Sequence, residues 1–326
     1  MEGRMSEEPV GEADGWSASL TPEKRAAIRD LHRLRPAWNL VAILFAALWA
    51  CMLWLMTAFP IWAVRIPGYV VIGMLIHAMA ILMHEGIHGS LFRNRALDRG
   101  FGFVLGAPAL FSATAYRVTH LNHHRYNRTA QDPDEFTNVS KHRWIVVFLF
   151  YAWGVVGIVV YVFHVPIMAL LRGTPRQRLA ILLEYVLLAM VYAAVILGAL
   201  HFGRFSIVLH GWIIPLFFAN LFGNFRGWAE HMMTRPGHPL IQTRTVTSNA
   251  FVSFFMCNLN YHLEHHLFPA MPWYHLPRLH RLLQDDYRQA GSVMYRSYSR
   301  FVWDAVRTGP YGLALQSLPP KAVPTA

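Results

Sequence analysis

The chain has 326 residues with 29 Lys and Arg against 18 Asp and Glu, a net charge of +11, yet 55% of it is hydrophobic and only 14% is charged. So low a charged fraction excludes a disordered chain, and 2 Cys exclude a disulfide scaffold. Long uncharged apolar runs exclude a nucleic-acid binder despite the basic excess and leave a polytopic membrane protein with no nucleic-acid partner.

In chain order, the first 36 residues are polar, hold seven acids and lack the apolar core that a signal peptide requires. Within them Thr21-Pro22-Glu23-Lys24 predicts a helix start, with Thr21 as cap and Pro22 in the first turn, leading an amphipathic helix at the membrane surface. Ala37–Val64 and Pro67–Met83 are predicted as a spanning hairpin that turns around Pro60–Pro67. The sequence HEGIH, His84–His88, follows at once. HLNHH at His120–His124 and DPDE at Asp132–Glu135 come next, before an apolar run, Trp144–Leu171, interrupted by Gly154, Gly157, His164 and Pro166. Leu179–Leu200 and Phe205–Phe225 form a second predicted hairpin, turning at His201–Arg204. GWAEH, ending at His231, and HLEHH, His262–His266, lie beyond it. The chain therefore divides into a polar segment 1–36, a membrane domain 37–285, and a segment 286–326 predicted as a surface helix with a disordered, Pro-rich end.

Charge sets the orientation. Lys24, Arg25, Arg29, Arg33 and Arg35 precede the first span, whereas Arg65 alone separates the first two and Arg204 the second two. Basic residues are retained on the cytoplasmic side, so both termini and all the His clusters are predicted there. Arg172, Arg176 and Arg178 also read as cytoplasmic, so Trp144–Leu171 is predicted as re-entrant or interfacial rather than as a crossing. The predicted fold is an all-α integral membrane protein: four transmembrane helices in two hairpins, re-entrant or interfacial helices, and a cytoplasmic His-rich cap.

Two copies of H-x-x-H-H occur where the 18 His of the chain lead one to expect about 0.05 by chance. Offsets of three and four bring side chains to one helical face, so His84 with His88, His120 with His123 and His124, and His262 with His265 and His266 each present imidazoles together. Eight such ligands exceed the needs of one ion and point to a two-metal centre. His77, seven residues before His84 and about 10 Å deeper, is predicted to pack or to line a substrate path. His32, His142, His164, His201, His210, His238, His275 and His280 are predicted as ordinary structural residues.

The three boxes in order, the DPDE run and NLNYHLEHHLFPAMP at Asn258–Pro272 resemble the membrane fatty acid desaturase superfamily over roughly residues 40 to 285. That resemblance implies a centre of two Fe that activates O2 against an unactivated C–H bond, with the eight box histidines as ligands and His231 as a ninth. Related acyl-CoA enzymes place an Asn four residues ahead of that ninth His; Gly227 stands there, and Asn224 on the same helical face is the substitute. Asp132, Asp134, Glu230, Glu264 and Asn258 are candidates to orient the ligands, since a ligating His usually donates its other N–H to a carboxylate or carbonyl. Arg117, Arg125 and Arg128 are expected to answer headgroups, acids or an acidic donor. The sequence lacks the HPGG motif of cytochrome b5, and Cys51 and Cys257 cannot build an iron–sulfur cluster. Electrons are thus expected from a separate ferredoxin, rubredoxin or cytochrome b5-type protein. The expected reaction is desaturation of a long acyl chain of acyl-lipid type, in contact with membrane lipid. Decarboxylation to a terminal alkene, and hydroxylation or ketolation of an alkyl chain or carotenoid, are the alternatives on the same scaffold. A His-rich metal transporter is the remote one, disfavoured because Glu184 is the single acid within the predicted spans.

Overall fold

The computed structural model describes residues 15–135 and 138–310. The Pro-rich end, for which disorder is predicted, lies outside the described residues.

Four helices are long and apolar enough to cross a membrane: Pro36–Ala58, Trp62–His88, Pro175–His201 and Phe205–His231. The first hairpin turns over residues 59–61 instead of Pro60–Pro67. Pro67 sits in the second turn of the second span, where its ring removes a single helical hydrogen bond, and the helix continues through it. The second hairpin turns over 202–204, at a Gly203 with φ of +62°.

These spans have unequal surroundings. In the second span 67% of the apolar window is buried, against 11%, 11% and 17% in the first, third and fourth. It is the axis of the bundle, and the others turn Trp54, Leu183, Met190 and Phe217 outward, as lipid-facing helices do. The fourth span packs closest to it, because Gly73 lets the two backbones approach: a Cβ there would lie 2.6 Å from Phe218 and 2.9 Å from the Ala219 nitrogen. Within the fourth span, Leu209–Ile213 forms a π turn, which leaves backbone carbonyls off the regular ladder. Trp49 of the first span donates its indole N–H to the Gly211 carbonyl at 2.8 Å.

Between the hairpins the chain builds a bend that was not predicted. Helices Arg95–Ala109 and Ala113–Tyr126 meet at a bend of 97°, with Leu110 in the left-handed region at φ +67°. Glu184 of the third span holds this elbow, accepting from the Ser112 hydroxyl at 2.6 Å and from the Thr114 amide at 3.0 Å. The run Trp144–Leu171 forms helix Arg143–Val159, a π turn Val160–His164 and helix Val165–Arg172, and supplies none of the four candidate spans.

At the end of the bundle bearing the His boxes, short segments close over the helix ends. Helix Pro22–Leu31 begins as predicted, Thr21 Oγ1 accepting from the Lys24 amide at 3.3 Å, and Lys24 pairs with Asp286 at 2.6 Å. Helix Tyr298–Thr308 buries Phe301 and Ala305, with the Phe301 ring 5.4 Å from that of Trp228 in the fourth span. The only sheet among the described residues pairs Thr245–Val246 with Met294–Tyr295 in parallel.

Candidate metal centre

At 1.5 Å per residue, 27-residue helices such as Trp62–His88 and Phe205–His231 are about 40 Å long, roughly 10 Å more than a hydrocarbon core. The final turns of both therefore reach beyond the apolar layer, and these carry His84 with His88, and His231. The second box lies on helix Ala113–Tyr126, capped by Ser112, whose hydroxyl accepts from the Ala115 amide at 3.0 Å. The third occupies the short helix His262–Leu267.

All nine histidines meet. Ligand nitrogens of His84, His88, His120, His124 and His265 lie within 4.8 Å of one another, as do those of His123, His231 and His266, and as do His231, His262 and a Glu230 oxygen. The second and third of these groups share His231, and the first abuts them where His124 stacks on His266, ring centroids 4.2 Å apart.

The spacing of the nitrogens tests whether a metal fits. His120 Nε2 is 3.0 Å from both His88 Nε2 and His124 Nε2, and His124 Nε2 is 3.1 Å from His265 Nε2. In the groups that share His231, His262 Nε2 is 2.7 Å from His231 Nε2 and 3.1 Å from His266 Nε2. A ring nitrogen carries one proton or one lone pair, so pairwise hydrogen bonds cannot satisfy such crowded sets. A shared cation can: metal–nitrogen bonds of about 2.0–2.1 Å at right angles put neighbouring ligands about 3 Å apart. His84 Nε2 and His123 Nε2 are buried without any hydrogen-bond partner. The residues present fit metal ligation by Nε2.

Carboxylates back the rings. Asp132 accepts from His123 Nδ1 at 2.8 Å, which leaves Nε2 with its lone pair toward the cluster. Asp132 itself is fixed by the amides of Arg128 at 3.0 Å and Asp134 at 2.9 Å, and Asp134 Oδ2 stands farther from His123, at 3.9 Å. Glu230 lies 3.3 Å from His262 Nδ1 and pairs with Arg226 at 2.7 Å. Burial, reinforced by the neighbouring histidines, lowers the proton affinity of His120, His124, His262, His265 and His266, the state that ligation needs. His123 is the exception: burial lowers it, but Asp132, with Asp134 and Glu135 behind it, outweighs burial and leaves its pKa raised.

Two candidate orienting residues sit elsewhere. Asn258 adopts φ +54° after helix Ala250–Phe255 and lines a surface groove with Trp38 and Trp273. Its Asn side chain is one of the few that tolerate this left-handed turn. Glu264 turns from the histidines of its own box to accept from Thr245 Oγ1 and, at 2.6 Å, from His280 Nδ1. It anchors the third-box helix, and His280, predicted as an ordinary structural residue, is its hydrogen-bond partner. His164 likewise reaches the Pro133 carbonyl at 3.2 Å. Arg128 answers an acid, Glu135, and the Thr234 carbonyl, while Arg117 donates to the Ile87 carbonyl and Arg125 lies exposed over Tyr126.

Sequence reasoning missed three supports. Glu85, fully buried, accepts from Ser90 at 2.8 Å and from the Trp273 amide at 3.1 Å, tying the first box to the segment after the third. Arg244, 1% exposed, donates to the Ala229, Met232 and Met233 carbonyls at the end of the fourth span, beside His231. Glu184 grips the second-box helix. An acid inside an apolar run is the one signal among these that the sequence displays.

A cavity of about 90 Å³ runs from His84 into the bundle, between the second and fourth spans, the elbow at Ala109–Phe111 and Tyr161. His77 and Asn224 line it. Asn224 donates to the Gly154 carbonyl at 3.2 Å, in a gap that Gly157 keeps open: a Cβ there would lie 2.4 Å from the Asn224 amide.

The family model for fatty acid desaturase matches residues 60–298. The chain is 27% identical over 246 residues to a sphingolipid delta(4)-desaturase of Drosophila melanogaster, covering 73% of this chain and 72% of that one. It is 26% identical over 298 residues to a mouse sphingolipid delta(4)-desaturase/C4-monooxygenase, covering 88% and 87%. A beta-carotene ketolase of Paracoccus is 30% identical over 211 residues, covering 60% and 71%. With its boxes gathered into ligand clusters at the ends of candidate spans, the chain belongs to the fatty acid desaturase family and is an oxidoreductase.

Proposed function

We propose that the enzyme uses O2 to oxidise an unactivated C–H bond in the long acyl chain of a membrane lipid, with desaturation as the outcome. Two irons would be held by His84, His88, His120, His124 and His265 on one side and His123, His231, His262 and His266 on the other. Bound there, they would supply O2 activation and hydrogen removal, with electrons from a separate ferredoxin, rubredoxin or cytochrome b5-type protein. The observation that carries this reading is the convergence of the nine imidazoles into three ligand groups, two of which share His231 and abut the first, which through His84 opens onto a cavity in the apolar bundle.

The chain's own residues bind, orient and exclude. Asp132 accepts from His123 Nδ1 and so presents Nε2 to the centre, while Glu230 stands 3.3 Å from His262 Nδ1 as a negative charge beside that ring. Tyr116, stacked on His120 at 5.1 Å, shields that ring from water. The cavity walls aim a chain at His84. Hydroxylation is the second reading, favoured by the monooxygenase and ketolase among the relatives. The choice between the two turns on where the cavity holds the second hydrogen.

The same geometry supports cytoplasmic boxes and termini: Arg65 and Arg204 lie near the hairpin turns, at the opposite ends of the spans from His88 and His231. Mass spectrometry of lipids from cells expressing the wild type beside His265→Ala tests the reaction. A new double bond that requires His265 is expected; an unchanged lipid profile from an iron-loaded wild type with a working donor would overturn it. A reporter fused after residue 175 should read as cytoplasmic.

A further inference from the structure

A second concavity lies on the outside of the bundle and shares no lining residue with the cavity beside His84. It is a groove of about 550 Å³ between the start of the first span and helix Ala250–Phe255. That volume falls within the roughly 300–1,000 Å³ of sites that take a whole small-molecule ligand. Leu40, Val41, Leu44 and Phe254 supply its apolar wall. Leu40, Leu44 and the lining Trp38 are about half exposed, so the groove faces the surrounding lipid. It lies at the box end of the bundle, where Asn39 donates to the carbonyl of Leu91, three residues past His88.

This groove is not apolar throughout. Trp273, one of its lining residues, is only 5% exposed, yet its indole Nε1 has no hydrogen-bond partner. Ser253 lines the groove as well; it accepts from Asn260 Nδ2 at 3.2 Å and keeps its own hydroxyl proton. Hydrocarbon alone would strand the indole N–H, at the cost that a buried unpaired donor carries. An ester carbonyl beside the hydrocarbon removes that cost.

The chain that leads into the groove is cationic. The Arg35 amide donates to the Tyr274 hydroxyl at 2.6 Å. Trp38 stacks on the Tyr274 ring at 5.4 Å and meets Trp273 edge to face at 5.8 Å. Burial lowers the pKa of His275, and the charges of Arg278 and Arg35 lower it further, which puts both cations at this corner. Both side chains are exposed and neither pairs with an acid among the described residues. The nearby acid, Asp30, is taken by Arg33 at 3.0 Å.

We propose that the groove binds one anionic phospholipid from the leaflet at the box end. An acyl chain lies along Leu40, Val41, Leu44 and Phe254, an ester carbonyl accepts from Trp273 Nε1, and the phosphate headgroup meets Arg35 and Arg278. Charge complementarity selects an anionic headgroup over a zwitterionic one. The lipid is a resident of the fold and not a substrate, since none of the nine box and span-end histidines lines the groove. It bears on the centre through one link, the Trp273 amide donating to Glu85 at 3.1 Å beside His84. Binding here does not depend on which reaction the centre performs.

Native mass spectrometry of the delipidated full-length protein, titrated in detergent with dioleoyl phosphatidylglycerol or dioleoyl phosphatidylcholine, tests the site. One phosphatidylglycerol is expected to bind at least about fivefold more tightly than phosphatidylcholine, and Arg35→Gln to remove about fivefold of that preference. Trp273→Phe, which keeps a ring and removes the N–H, should weaken both lipids about fivefold. Leu44→Trp fills the groove from an exposed position and should abolish the tight site for both. Melting temperatures without lipid should match the wild type for Arg35→Gln and Leu44→Trp, which shows that these variants fold. Equal affinity for the two lipids, or a preference untouched by Arg35→Gln, would overturn the anionic assignment. Binding unchanged in Trp273→Phe would overturn the ester contact. Tight binding that survives Leu44→Trp would place the lipid elsewhere and overturn the groove as its site.

Discussion

The two halves of the histidine cluster are built on different principles. Around His84, His88, His120, His124 and His265 the rings lean on one another edge to face, with centroids 4.5 Å apart for His84–His120 and His84–His265. The neighbouring carboxylate, Glu85, stays 3.6 Å from His84 Nδ1, beyond a hydrogen bond, and is satisfied by Ser90 and Trp273. Around His123, His231, His262 and His266 the rings are instead backed by acids, Asp132 at 2.8 Å and Glu230 at 3.3 Å. One half is positioned by packing and the other by charge, so they should fail differently.

Removing a ligand is the largest insult. His265→Ala should abolish product in a cell-based lipid assay, beyond the roughly 10–100-fold that loss of an outer partner costs. It should also lower iron in the packed half while sparing the charged half. Equal loss from both would show the halves to be one cooperative unit and break the comparison.

Asp132→Asn comes next. The amide can hold His123 Nδ1 only by a weaker, uncharged bond, so activity should fall roughly 10–100-fold. The parallel change Glu85→Gln should cost less than about tenfold in activity, because Glu85 has no hydrogen bond to a ligand. Its cost should appear in melting temperature, through Ser90 and Trp273. If Glu85→Gln proved as damaging to turnover as Asp132→Asn, the packed half would be charge-braced after all.

How much of this design the sequence displayed follows the same division. Four spans and nine histidines were legible because apolar runs and box spacing are local patterns. Asp132 was legible because it lies nine residues from His123. Long-range partners were not: His280 supports Glu264 across 16 residues, Trp273 meets Glu85 across 188, and Glu184 reaches Ser112 across 72. Nothing in a one-dimensional pattern distinguishes His280 from His275 or His32. The elbow at Leu110 was hidden for another reason, since its left-handed backbone is adopted by a Leu rather than by a Gly that would have announced it.

Acid should separate the halves more gently. A ligand must be neutral to bind metal, so a proton competes best where the pKa is raised. His123 is raised by Asp132, while His120, His124 and His265 are lowered by burial. As pH falls, metal should leave the charged half first, seen as a two-step loss of bound iron. In Asp132→Asn the raising charge is gone, so the first step should move to lower pH even though that variant binds metal less tightly at neutral pH. A single step in both proteins would argue that His123 does not set the acid limit.

The smallest effect is expected at the rim of the charged half. Tyr298, from the C-terminal helix, reaches Glu230 Oε1 at 3.4 Å and Met256 Sδ at 3.2 Å, and its long geometry marks a weak hydrogen bond. Glu230 keeps its stronger pairing with Arg226, so Tyr298→Phe should cost about 0.5–1 kcal/mol at most, a few-fold in turnover. Kinetics of that variant beside Phe301→Ala separate two ways in which the helix can matter. Phe301 is fully buried against Trp228 and touches no ligand or carboxylate of the centre, so its loss should cost about 3–5 kcal/mol of stability. Turnover per folded molecule should change little in Phe301→Ala. If Tyr298→Phe instead proved the more damaging to turnover, the hydroxyl would be holding Glu230 against His262, and the bracing by charge would extend into the C-terminal helix.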